Sequence, residues 1–166
     1  IGQGEVTATP LQIANLSATI ANRGYFITPH VVKEVEDEPL DSLYTVKRYT
    51  KVRKEHYETV VQGMRAAVTG GTCRAANLPG LDVCGKTGTA QNRGKDHSAF
   101  MGFAPMNDPK IAVAVYVENG GWGATYGVPI GALIMEKYLK GELSPESERK
   151  ATDIQNRRID YGIHER

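Results

Sequence analysis

The stretch LPGLDVCGKTGTAQNRG, residues 78–94, admits two readings that exclude one another, and the fold follows from the choice. By spacing alone, Gly80, Gly85, Lys86 and Thr87 satisfy G-x-x-x-x-G-K-[ST], a loop whose backbone N–H groups cradle phosphate. Such a loop follows an apolar strand and opens a helix at its lysine. Here the short, polar RAANLP precedes Gly80, and TGTAQNRGKD follows Lys86 without a helical stripe. The apolar Leu81, Val83 and Cys84 sit inside the supposed loop, where backbone should be exposed. No later apolar strand ends in an evident magnesium-binding aspartate. The context fails, and a nucleotide-binding module built on Gly80–Thr87 stands only as an alternative.

The second reading makes the same residues a strand beside a cleft. Side chains on a strand alternate, so Lys86 and Gly88 share one face while Thr87 and Thr89 share the other. Gly88 lets a ligand or another backbone come close. Lys86 offers a positive charge, the threonine hydroxyls offer donors to a carboxylate, and the Thr89 N–H can serve an oxyanion site. Strict alternation separates Lys86 from the threonines, so a local twist or bulge is expected.

Outward from this stretch the elements fall into a mixed order. Thr9-Pro10 ahead of LQIANLSATIANRG predicts a helix with an N-cap, a proline in its first turn and a stop at Gly24. YFITPHVVKEVE reads as extended, broken by Pro29, and DEPLDS as a turn. Tyr57, Val60, Val61, Met64 and Val68 predict a second helix over residues 54–68, which TGGT ends. GLDVCGKTGTA, SAFMGFAP and KIAVAVYVEN read as three strands, the last two a hairpin across MNDP. YGVPIGALIMEKYLKG restores helical spacing. Runs of helix and strand without strict alternation give an α+β fold with helices on one antiparallel sheet. Residues 1–140 hold these elements, and residues 141–166 read as a polar tail with too few apolar groups for a core.

The 166-residue chain is 40% hydrophobic and 23% charged with a formal net charge of +1, a composition that suits one globular core. That balance offers nothing to nucleic acid or anionic lipid. The basic KRYTKVRKEHY, residues 47–57, is offset by the nearby acidic EVEDEPLD and reads as a solvated face. No apolar run of about 18 residues is present that would cross a bilayer. The opening at Ile1 without methionine reads as a segment of something longer. Cys73 and Cys84 lack the spacing of a zinc site; one disulfide in an oxidising compartment is the alternative, and they read as small buried hydrophobes. No metal or cofactor is expected.

With these residues in view, the chain resembles the penicillin-recognising serine enzymes, whose K-T-G element matches KTGT at 86–89. IGQGEVTATPLQIA, GKTGTAQN, DHSAFMGFAP and VAVYVENGGWGA, in family order over residues 1–140, narrow this to the class B, elongation-type transpeptidases. The resemblance implies a partial serine β-lactamase-like domain of a peptidoglycan D,D-transpeptidase. In that family a serine is acylated by a stem peptide and passes the acyl group to a neighbouring amine. By resemblance Lys86 and Thr89 are catalytic, and Thr87, Gly88 and Thr89 bind the terminal carboxylate of the stem or of a β-lactam. The resemblance also implies the periplasmic face of a bacterial inner membrane, with an N-terminal anchor outside this chain.

The family's other two motifs are missing. S-x-N does not occur, and the one S-x-x-K, Ser147 to Lys150, lies in the polar tail and reads as chance. The expected partner is therefore an upstream part of the same domain carrying the nucleophile, and the chain alone is expected to be inactive. Asp96 and His97 can support the cleft entrance, although a histidine that fixes a loop is the plainer reading. Residues 118–123, ENGGWG, read as the turn into the last helix rather than as a partner-facing loop. His30, His56 and His164 read as surface groups. An interaction domain that self-associates through residues 141–166 remains a further alternative.

Overall fold

The computed structural model describes residues 3–159 and 161, so His164 and the extreme ends of the chain lie outside the described residues. Helix α1, Pro10–Ala21, begins where its sequence says it should. The Thr9 hydroxyl accepts the Gln12 N–H at 3.3 Å, and the Gln12 side chain accepts the Thr9 N–H at 2.8 Å. This reciprocal pair satisfies donors that a helix start leaves orphaned. Gly24 follows at φ +112°, a conformation that side chains resist, and the helix stops before it.

The next segment departs from expectation. Of YFITPHVVKEVE, only Tyr25–Phe26 (β1) forms strand, paired antiparallel with Arg48–Tyr49 (β2). A one-turn helix α2, Ser42–Thr45, lies between them, capped by Asp41. Pro29 and Pro39 each withhold a backbone donor, and among the described residues the strand that pairs with this segment, Arg48–Tyr49, is two residues long. Val31 is fully exposed as a result.

Helix α3, Lys54–Thr69, follows the predicted stripe and buries Tyr57, Val61, Met64 and Val68. The three expected strands are β3, Cys84–Ala90, β4, His97–Ala104, and β5, Ile111–Val117. They form one antiparallel sheet in the order β3-β4-β5. Helix α4, Gly127–Lys140, packs on one face over Phe100 and Val113; α1 and α3 pack on the other over Cys84 and Phe103. The result is α+β with helices on both faces.

Phe100 is the centre of the α4 layer. A Cβ added to Gly85, Gly102 or Gly131 would lie 2.5, 2.6 and 2.5 Å from its ring. The ring thus occupies space that three glycines vacate, and such dense packing is what fixes one arrangement of strand and helix.

The polar segment after Gly141 begins with a further helix. Ser144 caps and Pro145 opens helix α5, Pro145–Asn156, with Glu146 and Glu148 in its first turn where the helix dipole favours acid. It packs on the chain's own α4 through a polar joint. Glu136 and Ser147 are each 1% exposed, and Lys140 Nζ donates to Glu136 Oε1 at 3.3 Å. Burial pushes the Glu136 carboxyl up, but the Ser147 hydroxyl, Lys140 and the Ser144 hydroxyl outweigh it and hold it below the ordinary value of 4.5.

Candidate functional site

Strand β3 pairs only with β4 among the described residues, so its outer edge is open. The register runs without interruption from Cys84 opposite Phe103 to Ala90 opposite His97. The bulge expected from the sequence is therefore absent. Lys86 needs none, because its flexible stem folds back over the rim and Nζ donates to the Thr87 carbonyl at 2.9 Å. The charge reaches the edge by side-chain reach, while the strand stays pleated. No helix begins at Lys86, and the geometry is that of a sheet margin rather than a phosphate loop.

Lys86 and Thr89 are exposed, and Thr87 and Gly88 half-buried, so the KTGT element presents an open wall. Two neighbours that the sequence did not single out hold this wall in place. Thr72, read only as part of a helix stop, brings its Oγ1 to 2.8 Å from Thr87 Oγ1. The loop that carries it is tight: a Cβ on Gly71 would lie 2.8 Å from the Ala67 Cα. Arg65 donates to the Val83 carbonyl at 3.0 Å and to the Asp82 carboxylate at 3.1 Å, fixing the run-up to β3.

The close approach expected at Gly88 is made by the chain itself. A Cβ on Gly123 would lie 2.6 Å from Gly88 O and 2.5 Å from Ala99 O, so the loop between β5 and α4 lies directly on the strand. Asp96 and His97 stand at the other end of the β3–β4 hairpin, where His97 is opposite Ala90. His97 Nδ1 accepts the Asn119 N–H at 3.0 Å, and its ring sits 5.3 Å from that of Tyr116. Asp96 accepts the Gly121 N–H on its carbonyl at 2.7 Å. Both residues thereby pin the β5–α4 loop.

Cys73 and Cys84 are free and buried. Burial raises both thiols, Cys84 to about 11, so neither is a thiolate at neutral pH. Among the described residues no group of three His, Cys, Asp or Glu could hold a metal. Ser147, the head of the one S-x-x-K, is buried against α4, and Lys150 Nζ pairs with Glu146 at 2.8 Å.

The penicillin binding protein transpeptidase domain matches residues 1–139. The chain belongs to this family. Among curated relatives of the penicillin-binding transpeptidases, it is 32% identical over 180 residues to peptidoglycan D,D-transpeptidase MrdA of Haemophilus influenzae. It is 34% identical over 160 residues to peptidoglycan D,D-transpeptidase PbpA of Mycobacterium tuberculosis. These alignments cover 95% and 86% of the chain but only 28% and 31% of the relatives, so the chain spans less than a third of their length. Of solved structures, Pseudomonas aeruginosa PBP2 superposes at a TM-score of 0.72 with 39% identity, covering 88% of this chain and 33% of that one. The imipenem acyl-enzyme of M. tuberculosis penicillin-binding protein A superposes at 0.70 with 34% identity, covering 84% and 32%. The likeness is to the class B, elongation-type members. No described helix is long and apolar enough to cross a membrane.

Proposed function

We propose that the chain supplies the carboxylate-binding wall of a peptidoglycan D,D-transpeptidase whose serine nucleophile lies in a portion outside this sequence. The observation that carries the reading is the open β3 edge, where a lysine charge and a braced threonine hydroxyl converge beside backbone free to pair with a peptide. The Thr87 and Thr89 hydroxyls donate to the terminal carboxylate of a stem peptide. Lys86 supplies the positive field under it. When the serine attacks the penultimate carbonyl, negative charge collects on the carbonyl oxygen, and the Thr89 N–H receives it. Removing one such donor costs about 100-fold or more in rate. The leaving D-alanine then departs, and the amine of a second stem takes up the acyl group. A β-lactam offers the same carboxylate beside an acylating carbonyl and enters by the same contacts. The site of action is the periplasmic face of a bacterial inner membrane.

The absence of S-x-N, and the burial of the one S-x-x-K serine in a structural joint, support a chain that is inactive alone. A fluorescent penicillin tests this. The chain by itself stays unlabelled, and a longer protein that adds the upstream serine is labelled and loses most of the label on Lys86→Ala. Covalent labelling of any serine in the chain alone, Ser147 first, overturns the assignment.

A further inference from the structure

The rim of β3 is not free along its whole length. Gly88 O and Ala99 O lie 2.6 and 2.5 Å from one point, the place a Cβ on Gly123 would take. The two carbonyls therefore point at each other across the β3–β4 pair. In an antiparallel pair, residues bonded to one another in this way alternate with residues whose N–H and C=O face the other side. Thr87 and Thr89 accordingly turn their peptide groups to the outer rim, and Gln91, just past the end of the strand, continues the series. The Thr87 carbonyl is met there by Lys86 Nζ at 2.9 Å. Among the described residues no side chain and no loop backbone bonds the Thr89 N–H or carbonyl.

Gln91 is occupied from far away in sequence. Its N–H donates to Gln3 Oε1 at 2.9 Å, and Gln3 Nε2 donates to its carbonyl at 3.3 Å. A primary carboxamide carries a donor and an acceptor in one plane, as a peptide group does. Gln3 thus stands where one residue of a neighbouring strand would stand. Both residues are exposed, so burial does not force the pairing; the match of an amide to an edge peptide holds it. A chain lying antiparallel on this rim would bond Thr89 with one residue and Gln91 with the residue two positions earlier. The second of these places is taken.

We propose that the Gln3 carboxamide is a specificity-determining stop on the rim. It confines backbone pairing of the acyl donor to the residue at Thr89, and a longer donor has to leave the sheet before Gln91. The site then reads the reacting end of the stem peptide and leaves the backbone two residues further back unread. The inference rests on the transpeptidase reading and concerns the limit of the donor's place on β3, set by a side chain of this same chain.

Amide hydrogen exchange in the whole chain reads the clamp: the Gln91 N–H is protected, and Gln3→Ala removes the protection with an unchanged circular-dichroism spectrum. The stop itself is read in the longer protein that adds the upstream serine. The donors are the depsipeptides acetyl-D-Ala-D-lactate and acetyl-Gly-Gly-D-Ala-D-lactate, of which only the second has a peptide group to place at Gln91. The measure is the ratio of their acylation rates, taken from the first equivalent of D-lactate released. Gln3→Ala frees the Gln91 peptide and raises the ratio of extended to short donor about tenfold, as added backbone hydrogen bonds imply. Gln3→Glu, which keeps the acceptor and loses the donor, raises it less. An unchanged or lower ratio in Gln3→Ala, or protection of Gln91 that survives it, overturns the stop. Penicillin labelling of the longer protein tests the parent reading separately: labelling with an unchanged ratio removes the stop alone, and no labelling removes both.

Discussion

Two regions of similar length are built on opposite terms. From Cys84 to Val117 the chain forms a sheet in which Phe103, Cys84 and Ala104 reach 0% exposure and every strand is paired. From Tyr25 to Arg53 it makes only a pair of two-residue strands and a single helical turn, with Val31 at 100% and Val46 at 55% exposure. Both regions contain β-branched apolar residues. What separates them is access to partners: the sheet is covered on both faces, while the other excursion has prolines and no covering layer. The KTGT wall is precise because it belongs to the first kind of region.

The contrast can be broken most forcefully at Phe100. Phe100→Ala empties space that Gly85, Gly102 and Gly131 cannot refill, and a loss of about 3–5 kcal/mol in urea unfolding is expected. Val31→Ala, in the open region, shifts stability by no more than about 0.5 kcal/mol. Comparable losses at the two sites would erase the distinction.

A smaller effect is expected at the α4–α5 joint, where packing is polar. Glu136→Gln removes a buried charge that Ser147 and Lys140 favour, with an expected cost of about 1–3 kcal/mol at neutral pH. The folded carboxyl titrates below 4.5, its ordinary value, so the unfolded chain takes up the proton first as acid is added. The contribution is complete above that value and is lost as pH falls through the folded one. Unfolding curves of wild type and variant should therefore converge in acid. A gap that widens as pH falls contradicts the joint.

A modest change in stability, and the sharpest on function, is expected at Thr72. Thr72→Val deletes the hydroxyl that meets Thr87 and costs about 1 kcal/mol. In the longer protein it slows acylation by a penicillin, Thr72→Ser restores the rate, and a β-lactam with an esterified carboxylate is indifferent to both changes. Equal slowing of acid and ester means that Thr72 acts on the fold and not on the carboxylate contact.

How much of this was legible in the sequence follows from whether the cause is local. The Thr9 cap, the Gly24 stop and the stripe of Tyr57, Val61, Met64 and Val68 are written within one or two turns of the residues they govern, and those elements are where the pattern puts them. The K-T-G strand was equally plain, since its apolar lead-in and missing helix are adjacent in sequence. Helix α5 was not legible as a packed element. Its anchor is Glu136 on a different helix, and a polar joint leaves no hydrophobic stripe. Thr72 and Gly123 were missed for the same reason, because each acts on β3 across a fold that spacing does not reveal. The Lys86 fold-back replaced a predicted bulge, since alternation describes where a side chain leaves the strand and not where a long one ends.

The sheet has two rims, and only one carries a guard. Along β3 the ammonium of Lys86 discourages a foreign strand from zipping on. Along β5 the sequence IAVAVYV carries no charge in seven residues, and its outer rim has no partner among the described residues. For the chain taken by itself, that rim is where separate copies are expected to fuse and clouding to start, which turbidity against concentration would check. A lysine introduced at the exposed Tyr116 would lengthen the shelf life of the purified chain.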